Sequence, residues 1–357
     1  MNYHFPKGNI FLLHKLNWLC YSSSVTFLME QKMKSVTENN DNRKNEKKYV
    51  FLLFVAAFFW GTTFAAQSIG AKNVGAFTYL TGRSYIGTIV LLPFIVFRDK
   101  KERKIITEKL TKEDKKKSVK ANIKAGLVCG MLLFFASFTQ QYGLAFTTTA
   151  KASFITTLYV VLVPVISLIS GIKQEKKIWF AVALSLMGLY LLSINGSFKI
   201  GIGDSLVILC AIIYALQIMA VNHYSKKADS LKLTAIMFFV VACLSTVSMF
   251  IFEEPDMESI RKAMWSILYA GIFSNGIAFT CQVIAQRKVN PSSASLVMCL
   301  ESVFGALSGC LLLGDRLSGR EICGCVLMFS AILVSELKLP QIKMNIPVVS
   351  KEKTVSE

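Results

Sequence analysis

The sequence predicts an all-α integral membrane protein of ten transmembrane helices arranged as two inverted five-helix repeats. Three observations carry that expectation. The 357-residue chain is 53% hydrophobic with a mean hydropathy of +0.50, too apolar for a soluble domain of this length. Its apolar residues gather into segments close to the roughly 20 residues that cross about 30 Å of hydrocarbon as a helix. The second half also repeats the first: shifting residues 136–193 by 142 positions lays Gln140 on Gln282, Ala152-Ser153 on Ala294-Ser295, Leu158 on Leu300, Val161 on Val303, Leu191 on Leu333 and Ser193 on Ser335. Leucine and valine matches arise readily in apolar text, so the glutamines and the Ala-Ser steps carry the argument, since polar residues are rare at membrane depth. Five spans per repeat is an odd number, which turns the second repeat upside down relative to the first.

Residues 1–48 read as a cytoplasmic tail. Within it, Ile10–Met29 is interrupted by His14, Lys15, Asn17 and Ser22–Ser24 and makes a poor span. It also lacks the basic start and small-residue cleavage site of a signal peptide. Two readings stay open for residues 1–32: an over-long reading frame, with Met33 as the biological start and normal insertion from there, or a disordered tail. The first repeat, 49–194, holds spans at 49–69, 76–97, 125–144, 150–171 and 177–194, and the second, 203–338, holds spans at 204–222, 232–252, 264–286, 293–313 and 321–338. Residues 339–357 form a second cytoplasmic tail.

The net charge of +18 is distributed by topology. The run from Arg98 to Lys124 carries Lys100, Lys101, Arg103, Lys104, Lys115, Lys116 and Lys117, and further positives stand at Lys173, Lys176, Lys177, Lys226, Lys227, Arg287 and Lys288, all in alternate loops. The intervening loops are poorer in lysine and arginine, and one carries Glu253, Glu254 and Asp256. Lysine and arginine mark the cytoplasmic side, so both termini are expected inside, in a multi-pass plasma-membrane protein. The basic run lacks interleaved aromatics, which argues against a nucleic-acid partner. The nine cysteines are scattered mostly inside spans and read as small packing residues. Cys323 and Cys325 point about 200° apart on a helix, which excludes a shared metal site; neither metal nor cofactor is expected.

Ionisable residues at membrane depth are the first functional candidates. Arg83 and Glu301 both fall near mid-span, where a charge costs on the order of 3 kcal/mol or more and must face protein or water. A carboxylate there can gain and lose a proton as a cavity opens to each side; a structural ion pair is the plainer alternative. A second polar set comprises Gln67, Gln140, Gln141, Gln217, Asn222, Asn275 and Gln282, which serve either a solute or interhelical bonding worth about 0.6 kcal/mol each. Gln140 and Gln282 lead because the repeat gives them equivalent depths. Trp60, Phe64, Tyr159 and Tyr214 are candidates for an apolar cavity wall. Gly126, Gly130, Gly305 and Gly309 read as close-contact points between helices, the last two as a GxxxG step.

Enzyme readings find little support. His223 is the only histidine beyond residue 14 and has no nucleophile at motif spacing, and neither H-E-x-x-H nor G-x-S-x-G occurs. Gly314–Arg320 has phosphate-loop glycine spacing, yet Arg320 and Glu321 stand where Lys and Ser/Thr belong. Without a nucleotide-binding loop the chain is not an ATP-driven pump.

Trp60-Gly61-Thr62-Thr63-Phe64, Arg83, Gln140-Gln141-Tyr142-Gly143-Leu144, Ala152-Ser153-Phe154, Pro164, Leu300-Glu301 and Leu313-Gly314-Asp315 together resemble the EamA-type branch of the drug/metabolite transporter superfamily. The resemblance spans roughly residues 50–338. It implies ten helices, a central cavity and export or exchange of a small metabolite. The chain departs from the family where Glu301-Ser302 replaces Glu-Pro, which removes a kink from span nine, and where Gly314-Asp315 replaces Gly-Glu, which keeps the charge. Two function classes follow. A secondary transporter with a small-molecule substrate, the proton as leading coupling ion and sodium coupling or plain exchange as alternatives, accounts for both the inverted repeats and the buried polar groups. A receptor, scaffold or channel requires neither feature together.

The alternating loop charges generate a direct test. A cysteine placed at Asn195 is expected to react with an impermeant thiol reagent added to sealed cells, and one at Lys115 is expected not to; labelling at Lys115 overturns the topology.

Overall fold

The structure, a computed structural model, describes residues 47–106, 112–147, 149–193, 201–313 and 318–336. Residues 1–46, with Met33 among them, and residues 337–357 lie outside the described residues, as do Asn195 and Gly314-Asp315; Lys47 and Lys48, expected in the tail, open the first helix. Every regular element among the described residues is a helix. In chain order these are α1 (Lys47–Ala71), α2 (Ala76–Ile106), α3 (Lys112–Leu144), α4 (Thr149–Thr157), α5 (Tyr159–Ile169), α6 (Lys176–Ser193), α7 (Ile202–Ser225), α8 (Ser230–Phe252), α9 (Met257–Tyr269), α10 (Phe279–Gln286), α11 (Pro291–Met298), α12 (Glu301–Leu313) and α13 (Gly319–Glu336), with a π-helical stretch at Ala270–Ala278 joining α9 to α10.

Among the described residues, seven segments are long and apolar enough to cross a membrane: Lys47–Ala71, Ala76–Lys100, Lys116–Leu144, Ala152–Ile169, Ile202–Ser225, Ser230–Phe252 and Met257–Gln286. The remaining three expected spans are helical but weaker by this measure. α6 opens on Lys176-Lys177, α13 carries Arg320-Glu321 in its first turn, and span nine is split between α11 and α12. The outward surface is strongly apolar, with Phe94, Phe250, Trp265 and Leu311 among its exposed side chains, as a protein dissolved in hydrocarbon requires.

The basic stretch 98–124, expected as a loop, is largely helix. α2 runs on to Ile106 and α3 starts at Lys112, so the positive charges ride on helical extensions rather than on irregular chain. Lysine is a good helix former, and a Glu113–Lys117 pair at 2.9 Å supports the first turns of α3.

Span four breaks between α4 and α5 at Leu158, and span nine breaks between α11 and α12 at Cys299-Leu300. The breaks fall at positions related by the 142-residue repeat. At each, tight i→i−3 bonds replace the helical ladder: Leu158 N donates to Ile155 O at 3.1 Å, and Leu300 N to Val297 O at 3.2 Å. The expectation that Ser302 in place of proline straightens span nine is therefore corrected. Ser302 N bonds back to Cys299 O at 3.2 Å, and its hydroxyl is drawn across to α4, so side-chain bonding holds the bend that proline would impose by sterics.

α2 and α8 run antiparallel and are fastened at both ends. At one end Glu253, which follows α8, accepts from Phe77 N (2.8 Å), Thr78 N (2.8 Å) and Thr78 Oγ1 (2.7 Å) at the start of α2. The orphan amides and positive dipole end of α2 thus meet a carboxylate. At the other end Arg98 reaches Asp229 at 2.9 Å and Lys232 reaches Asp99 at 2.8 Å. Asp229 also caps α8 by accepting from Lys232 N, while its own N–H donates to Asn122 of α3. Asp256 caps α9 in the same manner, and the N–H and hydroxyl of Ser259 hold its carboxyl below the usual carboxylate range.

Small residues set the closest approaches, as expected for Gly126 and Gly130, which face α8, and for Gly305, which faces Gly61; the side-chain position of Gly309 lies outside the described residues. Gly188 and Gly324 bring α6 and α13 together so tightly that a Cβ on either meets the other's carbonyl oxygen, at 2.7 and 2.5 Å. Two apolar clusters result. One joins α1, α5, α6, α11 and α13 around Leu53, Val160, Leu189, Met298 and Met328. The other joins α3, α7, α8 and α10 around Leu133, Met237, Val241 and Val283. Trp60 and Tyr214 border both.

Because three donors converge on Glu253, Glu253→Ala is expected to destabilise the protein by about 1–3 kcal/mol, read as a lower unfolding midpoint in detergent. Glu258→Ala, which removes only an exposed pair with Lys262, is expected to change little; equal midpoints for the two variants refute the fastening role.

Candidate functional site

Between the two clusters lies a cavity lined by Trp60, Phe64, Gln67, Arg83, Gln140, Thr156, Tyr159, Tyr214, Gln217, Ile218, Ser274, Phe279, Gln282, Met298 and Glu301. Of the residues singled out in the sequence, Glu301, Arg83, Gln140, Gln282, Gln67, Gln217, Trp60, Phe64, Tyr159 and Tyr214 all reach it. Gln141, Asn275 and Asn222 do not.

Glu301 is the first residue of α12, placed on the cavity wall by the break that ends α11. It is 5% exposed, and Tyr159, the first residue of α5, donates its hydroxyl to Glu301 Oε1 at 3.1 Å. Tyr159 and Glu301 occupy repeat-related positions, so the two broken helices meet through their own equivalents. Beside them Ser153 donates to Ser302 Oγ at 2.8 Å, Ser302 and Thr157 hydroxyls lie 2.8 Å apart, and Thr157 donates to Ser153 O at 2.7 Å. That last bond uses the single Thr157 proton, which leaves its 3.5 Å approach to Glu301 as a contact. Tyr159 is then the carboxyl group's one well-formed donor, and no cation lies within ion-pair distance of it among the described residues.

Arg83 is held from three sides. Its Nη1 donates to Gln67 Oε1 at 3.2 Å, and its guanidinium carbon lies 5.8 Å over the Tyr79 ring. The amides that miss the cavity brace this unit from behind: Asn275 Nδ2 donates to Arg83 O at 3.1 Å and Gln141 Nε2 to Gln67 O at 3.4 Å. Asn275 belongs to the π-helical stretch, whose extra residue per turn turns Ser274 toward the cavity and Asn275 toward α2; π-helical turns recur at functional sites. Arg83 and Glu301 do not pair. The Arg83 guanidinium meets Gln67 and the Tyr79 ring, whereas Glu301 accepts from Tyr159.

The remaining polar groups divide unevenly between the repeats. Gln140 Nε2 donates to Thr156 Oγ1 at 3.2 Å. The position related to Thr156 is Met298, and Gln282 Oε1 is left without a partner, as are Gln217 Oε1, Trp60 Nε1 and Arg83 Nε. Trp60 meets the Phe279 edge with centroids 4.8 Å apart. Asn222 bonds Gln286 O and Val289 O at 2.9 and 3.3 Å, tying α7 to the end of α10. Thr156, Ser274, Phe279, Ile218 and Met298 were not anticipated. Thr156 and Met298 could have been found by carrying the repeat through span four, whereas Ser274 depends on a π-helix that leaves no periodic signature. Among the described residues no cluster of histidine, cysteine and carboxylates could hold a metal, and Cys129, Cys210, Cys243, Cys281, Cys299 and Cys323 are free thiols.

A cavity that gathers orphaned polar groups inside a bundle of membrane-length helices fits a carrier of small solutes. The family model of EamA-like transporters matches twice, over residues 47–194 and 201–337. The chain belongs to the EamA-like transporter family. It is 27% identical over 288 residues to an uncharacterized transporter of Archaeoglobus fulgidus, covering 80% of this chain and 85% of that protein. It is 26% identical over 284 residues to the uncharacterized transporter YoaV of Bacillus subtilis, covering 77% and 92%. A solved crystal structure at 19% identity superposes with a TM-score of 0.64 over 81% of this chain and 96% of the other, which speaks to fold alone.

Glu301 is presented through a backbone contact. A Cβ at Gly61 would stand 2.5 Å from Glu301 O, 2.5 Å from Phe304 Cβ and 2.7 Å from Gly305 N, and backbone cannot yield as a side-chain tip does. Gly61→Ala of this EamA-like protein is expected to cost at least about 1–3 kcal/mol of stability and to impair transport. An unchanged unfolding midpoint shows that α1 and α12 do not approach this closely.

Proposed function

We propose that this EamA-like protein is a secondary transporter that exports a small metabolite across the plasma membrane by alternating access, with Glu301 carrying the coupling proton. Ten spans in two inverted repeats, 49–194 and 203–338, with both termini cytoplasmic, form the framework of this reading. The twofold family match and the antiparallel course of α2 and α8, which hold corresponding places in the two repeats, support it. So does the identical turn that precedes each of these helices. The α2 turn recurs before α8 at an offset of 154 positions, and the same offset carries Trp60 onto Tyr214, the two aromatics that border both apolar clusters.

The observation that carries the proposal is the meeting of Tyr159 and Glu301. Two broken helices, related by the repeat, place a hydroxyl and a carboxyl in contact at the cavity wall, with no cation within ion-pair distance among the described residues. Helix breaks at a repeat interface are where secondary transporters build their sites, and an intramembrane carboxyl with a single neutral donor can exchange its proton with whichever side the cavity faces. Inward and outward arrangements then differ in which repeat closes on the solute, and the proton compensates the carboxyl group in passage.

The test uses proteoliposomes loaded with a pH-sensitive dye and a solute selected by thermal-shift screening. Glu301→Gln is expected to fold and insert, to abolish solute-dependent proton movement, and to leave solute exchange without a pH gradient in place. Unchanged rate and pH dependence in that variant refute proton coupling at Glu301. Tyr159→Phe, which removes the donor but not the carboxyl, is expected to shift the pH profile without abolishing coupling.

A further inference from the structure

Among the described residues Arg83 is the one cationic side chain that lines the cavity, and no carboxylate lies within ion-pair distance of it. It is only 5% exposed. Gln67 takes one guanidinium nitrogen, and Asn275 fixes the backbone carbonyl, yet the Nε–H of the same planar fork has no acceptor. A buried cation held for structural reasons is met by a carboxylate or by carbonyls that fill its donors. Here the neighbours position the fork and leave its buried Nε–H unmet, on a side chain that lines the cavity.

We propose that Arg83 anchors a carboxylate of the transported solute, a monoanion whose apolar body lies against Trp60, Tyr214 and Phe279; this rests on the transporter reading above and names its substrate class. A guanidinium presents parallel N–H groups that match a carboxylate. A phosphate monoester, with close to two negative charges, would meet a single cation and the repulsion of Glu301 in the same cavity. The three aromatic side chains supply flat apolar walls. The partnerless oxygens Gln217 Oε1 and Gln282 Oε1 accept from an N–H or O–H donor elsewhere on the same molecule.

Acid and amide pairs of equal shape separate charge recognition from burial of the apolar body. The full chain in detergent is melted with phenylacetate or phenylacetamide, benzoate or benzamide, and phenyllactate or phenyllactamide, and apparent affinities are taken from the concentration dependence of the midpoint. At least one acid is expected to bind tenfold or more tightly than its amide. Arg83→Gln is expected to erase that difference while leaving amide binding as it was, Arg83→Lys to restore part of it, and Glu301→Gln to retain it. The comparison of acid with amide in the unmodified protein needs no variant to fold: if no acid surpasses its amide, the assignment is overturned. It is equally overturned if Arg83→Gln binds the acid as tightly as before. Flux in proteoliposomes separates the two claims. Transport of neutral or cationic solutes with no acidic one removes the anion assignment and leaves the transporter reading, whereas acid binding through Arg83 with no solute crossing at all upholds the site and removes that reading.

Discussion

Hydrocarbon offers a polar group no water to fall back on, so every amide, hydroxyl and charge at membrane depth in this protein must find its partner inside the protein or in a wet cavity. Much of the structure follows from that constraint. Hydroxyls of α-helical threonines and serines bond their own helix, as Thr63 to Phe59 O at 2.6 Å and Thr88 to Ser84 O at 2.9 Å. Interhelical amides find carbonyls, as Asn222 and Asn275 do. Among the buried atoms left without a partner, those of Trp60, Arg83, Gln217 and Gln282 belong to residues lining a single cavity, while others, such as Ser84 Oγ and Gln286 Oε1, lie elsewhere in the bundle.

Apolar burial cannot bring helices together in a medium as apolar as their own side chains, so close packing has to. The Gly61–Gly305, Gly143–Gly203 and Gly188–Gly324 approaches bring backbones into direct contact at three separate helix crossings. One of them has a chemical consequence: the α1–α12 contact at Gly61 fixes the backbone of Glu301 itself. The packing that holds the bundle and the placement of the carboxyl are therefore one set of contacts.

The repeat also shows where function departs from symmetry. Gln140 and Gln282 are matched in depth, but Thr156 satisfies the first while Met298 stands in the corresponding place in the second. Tyr159 and Glu301 are matched in position and opposite in chemistry, one a donor and the other an acceptor. Arg83 has no charged counterpart, since the α2–α8 offset carries it onto Met237. A symmetric scaffold with an asymmetric lining gives a solute two unlike ends to recognise.

From the sequence alone came the membrane class, the positions of the apolar helical segments, the repeat, the family resemblance, and the ionisable and amide residues that a bilayer makes expensive. These were legible because hydropathy, charge alternation and the scarcity of polar residues at depth are properties of the chain read locally. Tertiary structure decided the rest. It continued α2 and α3 through the basic stretch, because charge marks where the bilayer ends and not where a helix does. It broke spans four and nine without a proline at either break, since the bend is held by hydroxyls from both helices. It separated Gln67, which lines the cavity, from Gln141 and Asn275, which support it, and it kept Arg83 and Glu301 apart. Each of these depends on which helix faces which, and helix rotation about its own axis is set by packing partners hundreds of residues away in sequence, of which an apolar span carries almost no record.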